Sequence, residues 1–133
     1  MDRGEIKALV EKAYEARRTE DIEGMIAVFH QDGKFQLAGS QEAAAVAGIA
    51  QGHPELRKTL AELIADFQFV QRDIIGFLID GDRAAVHSRV KLRFMPKDRT
   101  VTTDLLDLWK VENGKIVELV EFVDTALIND LTR

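Results

Sequence analysis

Four carboxylates threaded through one stretch, TTDLLDLWKVENGKIVELVEFVD from Thr102 to Asp124, are the residues whose type and spacing suit chemistry: Asp104, Asp107, Glu118 and Glu121. Each interrupts a run otherwise apolar enough for packed β-strands. An ionised carboxylate carried into an apolar cavity must find partners or take up a proton. An inward one is therefore a candidate for general acid–base work, whereas an outward one is ordinary surface charge. Strand register decides between the two.

Other chemistries have little to work with. The chain has no cysteine, which excludes disulfides, thiolate zinc sites and cysteine nucleophiles. Its three histidines, His30, His53 and His87, show neither HxxxH nor HxH spacing, so neither a metal nor another cofactor is expected. A net charge of −5 without any long basic run argues against a nucleic-acid partner. No apolar run approaches the roughly 18 residues of a membrane helix, and Met1 opens no charged-then-apolar leader; a cytoplasmic site is the expectation.

The positioning elements follow from periodicity. The 133 residues, 46% hydrophobic and 31% charged, suit one domain over 1–133 with one core. Ile6, Leu9, Val10, Ala13 and Tyr14 recur at helical spacing between Gly4 and Arg18, and Tyr14 reads as a packing residue whose hydroxyl reaches the surface. Thr19 reads as the cap of a second helix whose stripe is Ile22, Met25, Ile26 and Phe29. "QDGK" at 31–34 reads as a turn before a short strand, "KFQLA", with Phe35 and Leu37 on one face. The Ala- and Gly-rich segment 39–52 reads as a mobile loop beside a pocket opening. Pro54 suits the first turn of a third helix with Leu56, Leu60, Leu63, Ile64 and Phe67 buried. Beyond residue 67 the period changes to 2, and "DGD", "PKDR" and "ENG" separate four antiparallel strands. Helices followed by a meander make an α+β domain, with the helices on one curved face of the sheet. Asp124 reads as the N-cap of a short closing helix.

In the strand 84–95 the even positions are apolar, so Val86, Ser88 and Val90 face inward. A four-residue loop closed by Met95 and Thr100 sets Ser88 opposite Asp107 and Val86 opposite Trp109, all inward. It pairs Lys91 with Asp104 outside. For the next turn, a three-residue "ENG" loop turns Glu121 inward, diagonal to Asp107 and beside Leu119; a two-residue Asn113–Gly114 loop would instead turn Glu118, Val120 and Phe122 inward. The three-residue loop leaves Lys110 and Glu118 outside and is preferred. By strict parity Asp73 also points inward, but strand starts are where bulges are common, and it is set aside. Asp107 and Glu121 then line the concave side with Ser88, Trp109 and Leu119. A purely structural role for either carboxylate stays open.

Three further segments carry a resemblance: "DIEGMIAVF", "NGKIVE" and "FVDTAL". In their order and spacing over nearly the whole chain they resemble the SnoaL-like polyketide cyclases and ketosteroid isomerase relatives of the nuclear transport factor 2-like superfamily. The resemblance implies a cone-shaped α+β barrel, with three N-terminal helices on the concave face of a strongly curved antiparallel sheet. It also implies a deep apolar pocket and a homodimer through the sheet. Asp107 matches the protonated oxyanion-hole aspartate of the isomerases, a group whose pKa is raised by its apolar site. Their general-base aspartate falls at Leu37, which takes no proton, and Tyr14 lies one residue, about 100° of helix, from the oxyanion tyrosine. Of the residues used by limonene epoxide hydrolase-like relatives, the arginine and first aspartate fall on Ser88 and Val90, the second aspartate on Glu121.

Two functional classes remain open. One is an isomerase- or cyclase-like enzyme with Asp107 and Glu121 as catalytic carboxylates, and Tyr14, Phe35, Ser88, Trp109 and Leu119 contacting a small hydrophobic carbonyl compound. The other is a non-catalytic module binding a hydrophobic small molecule. Leu106, Leu108, Val120 and Phe122 on the outer sheet face predict a homodimer.

Overall fold

The computed structural model describes residues 1–40 and 48–133. Helix α1 (Arg3–Arg18) starts at a capping box, in which Asp2 accepts from Glu5 N at 2.8 Å and the Glu5 carboxylate accepts from Asp2 N at 3.4 Å. Its inward stripe is Ile6, Val10, Ala13 and Arg17. Helix α2 (Ile22–Val28) is capped by Asp21 rather than Thr19. Thr19 ends α1, its hydroxyl returning to Glu15 O at 3.0 Å, and Glu20 takes φ 59° to reverse the chain between the helices. Helix α3 (His53–Asp66) carries Pro54 in its first turn and buries Leu56 and Leu60.

Six strands form one open sheet in the order β2–β1–β6–β5–β4–β3. Strands β3 (Phe67–Asp80), β4 (Arg83–Phe94), β5 (Arg99–Glu112) and β6 (Lys115–Phe122) are the antiparallel meander. Strand β1 (Phe29–Leu37) lies parallel to β6, which makes the sheet mixed rather than wholly antiparallel. "QDGK" is not a separate turn: β1 runs through it, and its signal is absorbed as an irregularity in the pairing with β6 between Phe29 and Lys34. Gly33 is required there, because a Cβ would come within 2.9 Å of both His30 O and the Phe29 ring. Of the segment read as a loop, 41–47 lie outside the described residues, and β2 (Gly48–Gln51) pairs with β1.

The helices cover one face of the sheet. A first core cluster joins α1, α2 and α3 to β1 and the inner sides of β4, β5 and β6. A second joins Phe67, Val90, Leu92, Phe94 and Leu105 to Ile128 and Leu131 of α4 (Thr125–Thr132), which Asp124 caps through Leu127 N at 3.0 Å. No helix among the described residues is long and apolar enough to cross a membrane.

Candidate active site

Asp107 is fully buried on the helix-facing side of β5, and Glu121 is its direct cross-strand partner on β6. Both the register and its cause differ from the sequence-based pairing. Asp98 adopts the left-handed conformation at φ 47°, so the β4–β5 loop closes at Phe94 and Arg99. Val86, not Ser88, therefore stands opposite Asp107, Ala84 opposite Trp109, and Ser88 opposite Leu105. A shift of two keeps the alternation in phase, and Asp107 stays inward. Outside, Asp104 pairs with Arg89 at 3.0 Å and His87 at 2.9 Å instead of Lys91, which faces Thr102.

The β5–β6 turn is the two-residue one, with Asn113 at φ 50° and Gly114 at φ 79° joining Glu112 to Lys115. Left unbroken, that register would turn Glu121 outward. A β-bulge between Lys110 and Val111 in the pairing with β6 inserts one residue and restores the phase, setting Leu119 opposite Trp109 and Glu121 opposite Asp107. Glu118 remains outside, 3.5 Å from Lys34.

Around Asp107 the contacts are specific. The Tyr14 hydroxyl donates to Asp107 Oδ2 at 2.7 Å and accepts from Trp109 Nε1 at 3.3 Å, the two rings meeting edge to face. Arg72 lies 3.8 Å from Asp107 Oδ2, donates to Ser88 Oγ at 3.1 Å, and packs over the rings of Tyr14 and Phe69. Asp107 Oδ1 is buried without a hydrogen-bond partner among the described residues. Burial, then the charge of Glu121, hold the Asp107 pKa well above the usual carboxylate range; Tyr14 and Arg72 oppose this less strongly. A proton on Asp107 directed at Glu121 satisfies both the orphaned oxygen and the repulsion. Burial and the Asp107 charge likewise push the Tyr14 hydroxyl up, so Tyr14 is a proton-bearing donor at any ordinary pH.

A largely apolar cavity opens above this cluster. Tyr14, Phe35, Asp107, Trp109, Leu119 and Glu121 all line it, closed elsewhere by side chains such as Met25, Leu60 and Phe69. Ser88 does not; it is fully buried behind the wall, holding Arg72. The Tyr14 hydroxyl turns to Asp107 instead of the surface. Two residues of the cavity, Arg17 and Arg72, have no place in the sequence-based site. Strict alternation from Phe67 places Asp73 inward, but the pairing of β3 with β4 shifts between Phe69 and Gln71, so Arg72 turns in beside Val90 and Asp73 turns out. Arg17, one turn beyond Ala13 on the buried stripe of α1, is visible in the sequence as a charge on an apolar face. Among the described residues no three His, Asp or Glu side chains gather as a metal site requires.

The model of the SnoaL-like domain matches residues 10–119. The chain belongs to the SnoaL-like family. No curated protein matches it. Solved structures show the same nuclear transport factor 2-like fold. One is a protein of unknown function from Burkholderia pseudomallei, with 21% identity, TM-score 0.84 and 98% of each chain covered. TerC, co-crystallized with polyporic acid, has 21% identity and TM-score 0.82 over 96% of this chain and 97% of that one. A protein of ketosteroid isomerase-like fold from Catenulispora acidiphila, in complex with trimethylamine, has 13% identity and TM-score 0.73 over 91% and 90%. At these identities the likeness is one of fold. In this SnoaL-like chain the inward carboxylate pair and the two guanidiniums are the charged side chains that line the cavity.

Proposed function

We propose that this SnoaL-like protein is a pocket enzyme of isomerase or cyclase type, in which Glu121 moves a proton at the carbon beside the carbonyl of a small, largely apolar compound. The carrying observation is the direct pairing of buried Asp107 with half-buried Glu121 at the floor of an apolar cavity. Desolvation and the neighbouring charge keep the proton on Asp107 and leave Glu121 as the carboxylate that meets the ligand. Glu121 takes the α-proton, the C–H electron pair becomes the C=C bond of an enolate as the carbonyl π pair moves onto oxygen, and return of the proton to a conjugated carbon as the C=O re-forms completes an isomerisation. Attack of the enolate carbon on a second carbonyl of the same molecule would complete a cyclisation. The donor to the developing oxyanion is Tyr14, which Asp107 holds in place: a neutral carboxyl holds the phenolic proton less firmly than a carboxylate does, freeing it for the ligand. Phe35, Trp109 and Leu119 supply apolar contact, and Ser88 acts only through Arg72. TerC, of the same fold, was co-crystallized with a small molecule, polyporic acid, in keeping with a small-molecule pocket. The protein works as a homodimer through the outer sheet face, and 1–133 form one domain.

The full burial of Asp107 favours a second reading, a binding module whose carboxylates only hold the wall together. Deuterium exchange at the α-carbon of butyrophenone, followed by proton NMR, separates the two. Exchange above buffer rate that is lost in Glu121→Gln supports the enzyme. Equal exchange in wild type, Glu121→Gln and Asp107→Asn leaves the binding module.

A further inference from the structure

Arg17 is buried in the cavity wall, and its hydrogen bonds are incomplete. Nη2 donates to the carbonyls of Phe67 at 2.7 Å and Leu63 at 3.5 Å, at the end of α3, where a cation complements the helix terminus. That accounts for one of the three guanidinium nitrogens. Nη1 is buried with no partner among the described residues. A buried donor without a partner costs about 1–3 kcal/mol, so an acceptor brought to Nη1 is favoured. Burial is also the main influence pulling the Arg17 pKa down, to about 10, so the group stays charged at neutral pH.

The charges around the cavity do not balance. Arg17 and Arg72 both pack on the Phe69 ring, at 4.5 Å and 4.8 Å, and both line the cavity. Against them, inside the cavity, stand Glu121 and an Asp107 that its proton makes neutral; Glu20 also acts on Arg17 but is exposed and lies outside the lining. One positive charge is left over in a low-dielectric site, where an unpaired ion is costly. We infer that the ligand carries an acidic oxygen, a carboxylate or the enolate of a 1,3-dicarbonyl, that accepts from Arg17 Nη1 and neutralises the surplus charge. This names the substrate class of the proposed site as an anionic carbonyl compound with an apolar body, and rests on the reading of the cavity as a ligand pocket.

Isothermal titration calorimetry at neutral pH with 4-oxo-4-phenylbutanoate and its methyl ester tests it, because the two share a ketone and an aryl body and differ in charge. The acid should bind about tenfold tighter or more, as a charge-assisted hydrogen bond implies. Arg17→Met should bring the ratio near one, with circular dichroism checking that α3 survives. If that variant does not fold, the wild-type ratio decides alone. Equal affinities, a tighter ester, or no binding of the acid at millimolar concentration would overturn the inference. Ester exchange that depends on Glu121 without acid preference would sink this inference and leave the proton-transfer reading standing; acid preference without exchange would do the reverse.

Discussion

The Tyr14 hydroxyl and Asp107 Oδ2 meet at 2.7 Å across 93 positions of sequence, joining the first helix to the middle of the sheet at the floor of the cavity. The bond carries both packing and proton affinity, because Tyr14 is one of the groups that restrain the upward shift of Asp107. Tyr14→Phe removes the donor to Asp107 and the acceptor of Trp109 Nε1 together. Urea unfolding should show a loss of about 1–3 kcal/mol. Carboxyl carbon chemical shifts should show Asp107 ionising at higher pH than in the wild type. An unchanged stability would mean that the bond is not made in solution.

Asp107 also links stability to pH. Its folded pKa is raised, so the folded state holds the proton more tightly than the unfolded chain. The resulting contribution is fully present below the ordinary carboxylate pKa of about 4 and is lost as pH rises through the folded value. Asp107→Asn has no such proton. The stability difference, variant minus wild type, should therefore grow in the variant's favour between acidic and alkaline pH in parallel urea titrations. A difference that stays constant, or moves the other way, would show Asp107 ionised in the native state.

The helices and the β3–β6 meander were legible in the sequence because their signals are local, whereas β2, read within a loop, and the first half of β1, read as helix end and turn, were not. The cap at Asp124, the stripes of α1 and α3, and the alternation of β4 and β5 each depend on a few neighbouring residues. The register was not. It depends on where Asp98 enters the left-handed region and on three irregularities, two in β3 after Phe69 and Ile74 and one at Lys110, and single-residue insertions carry little sequence signal. The consequences were unequal. An even shift left Asp107 inward, the bulge between β5 and β6 compensated for the different turn and kept Glu121 inward, and the irregularity after Phe69 exchanged Asp73 for Arg72. The parallel β1–β6 pairing was hidden because it joins segments separated by most of the chain.

The turn geometry has its own test in two glycines. Gly114 has φ 79°, and although nothing lies within 4 Å of an added Cβ, that space does not relieve the backbone, so Gly114→Ala should cost about 1 kcal/mol or slightly more by urea unfolding. Gly76 also has no heavy atom within 4 Å of an added Cβ, but no positive φ. Gly76→Ala should be neutral or mildly stabilising. Equal effects at both sites would contradict the left-handed turn at Gly114.

The outer sheet face predicts assembly. Its register sets Leu78, Ala85, Leu108 and Val120 in one row across four strands, and His87, Leu106 and Phe122 in the next. Leu78 is 73% exposed, Leu108 39% and Phe122 45%, which leaves a contiguous apolar band that monomers rarely present to water. The flanking charges Arg89 and Lys34 are already paired, with Asp104 and Glu118, so a partner need not supply counter-ions there. A second copy related by a two-fold axis offers the same band and buries both. Light scattering on the size-exclusion peak at micromolar concentration should give twice the chain mass. Leu108→Glu places a charge in the middle of the band and should return the monomer without loss of helix or strand by circular dichroism. A wild-type monomer would refute the dimer, and a dimer unaffected by Leu108→Glu would move the interface to another surface.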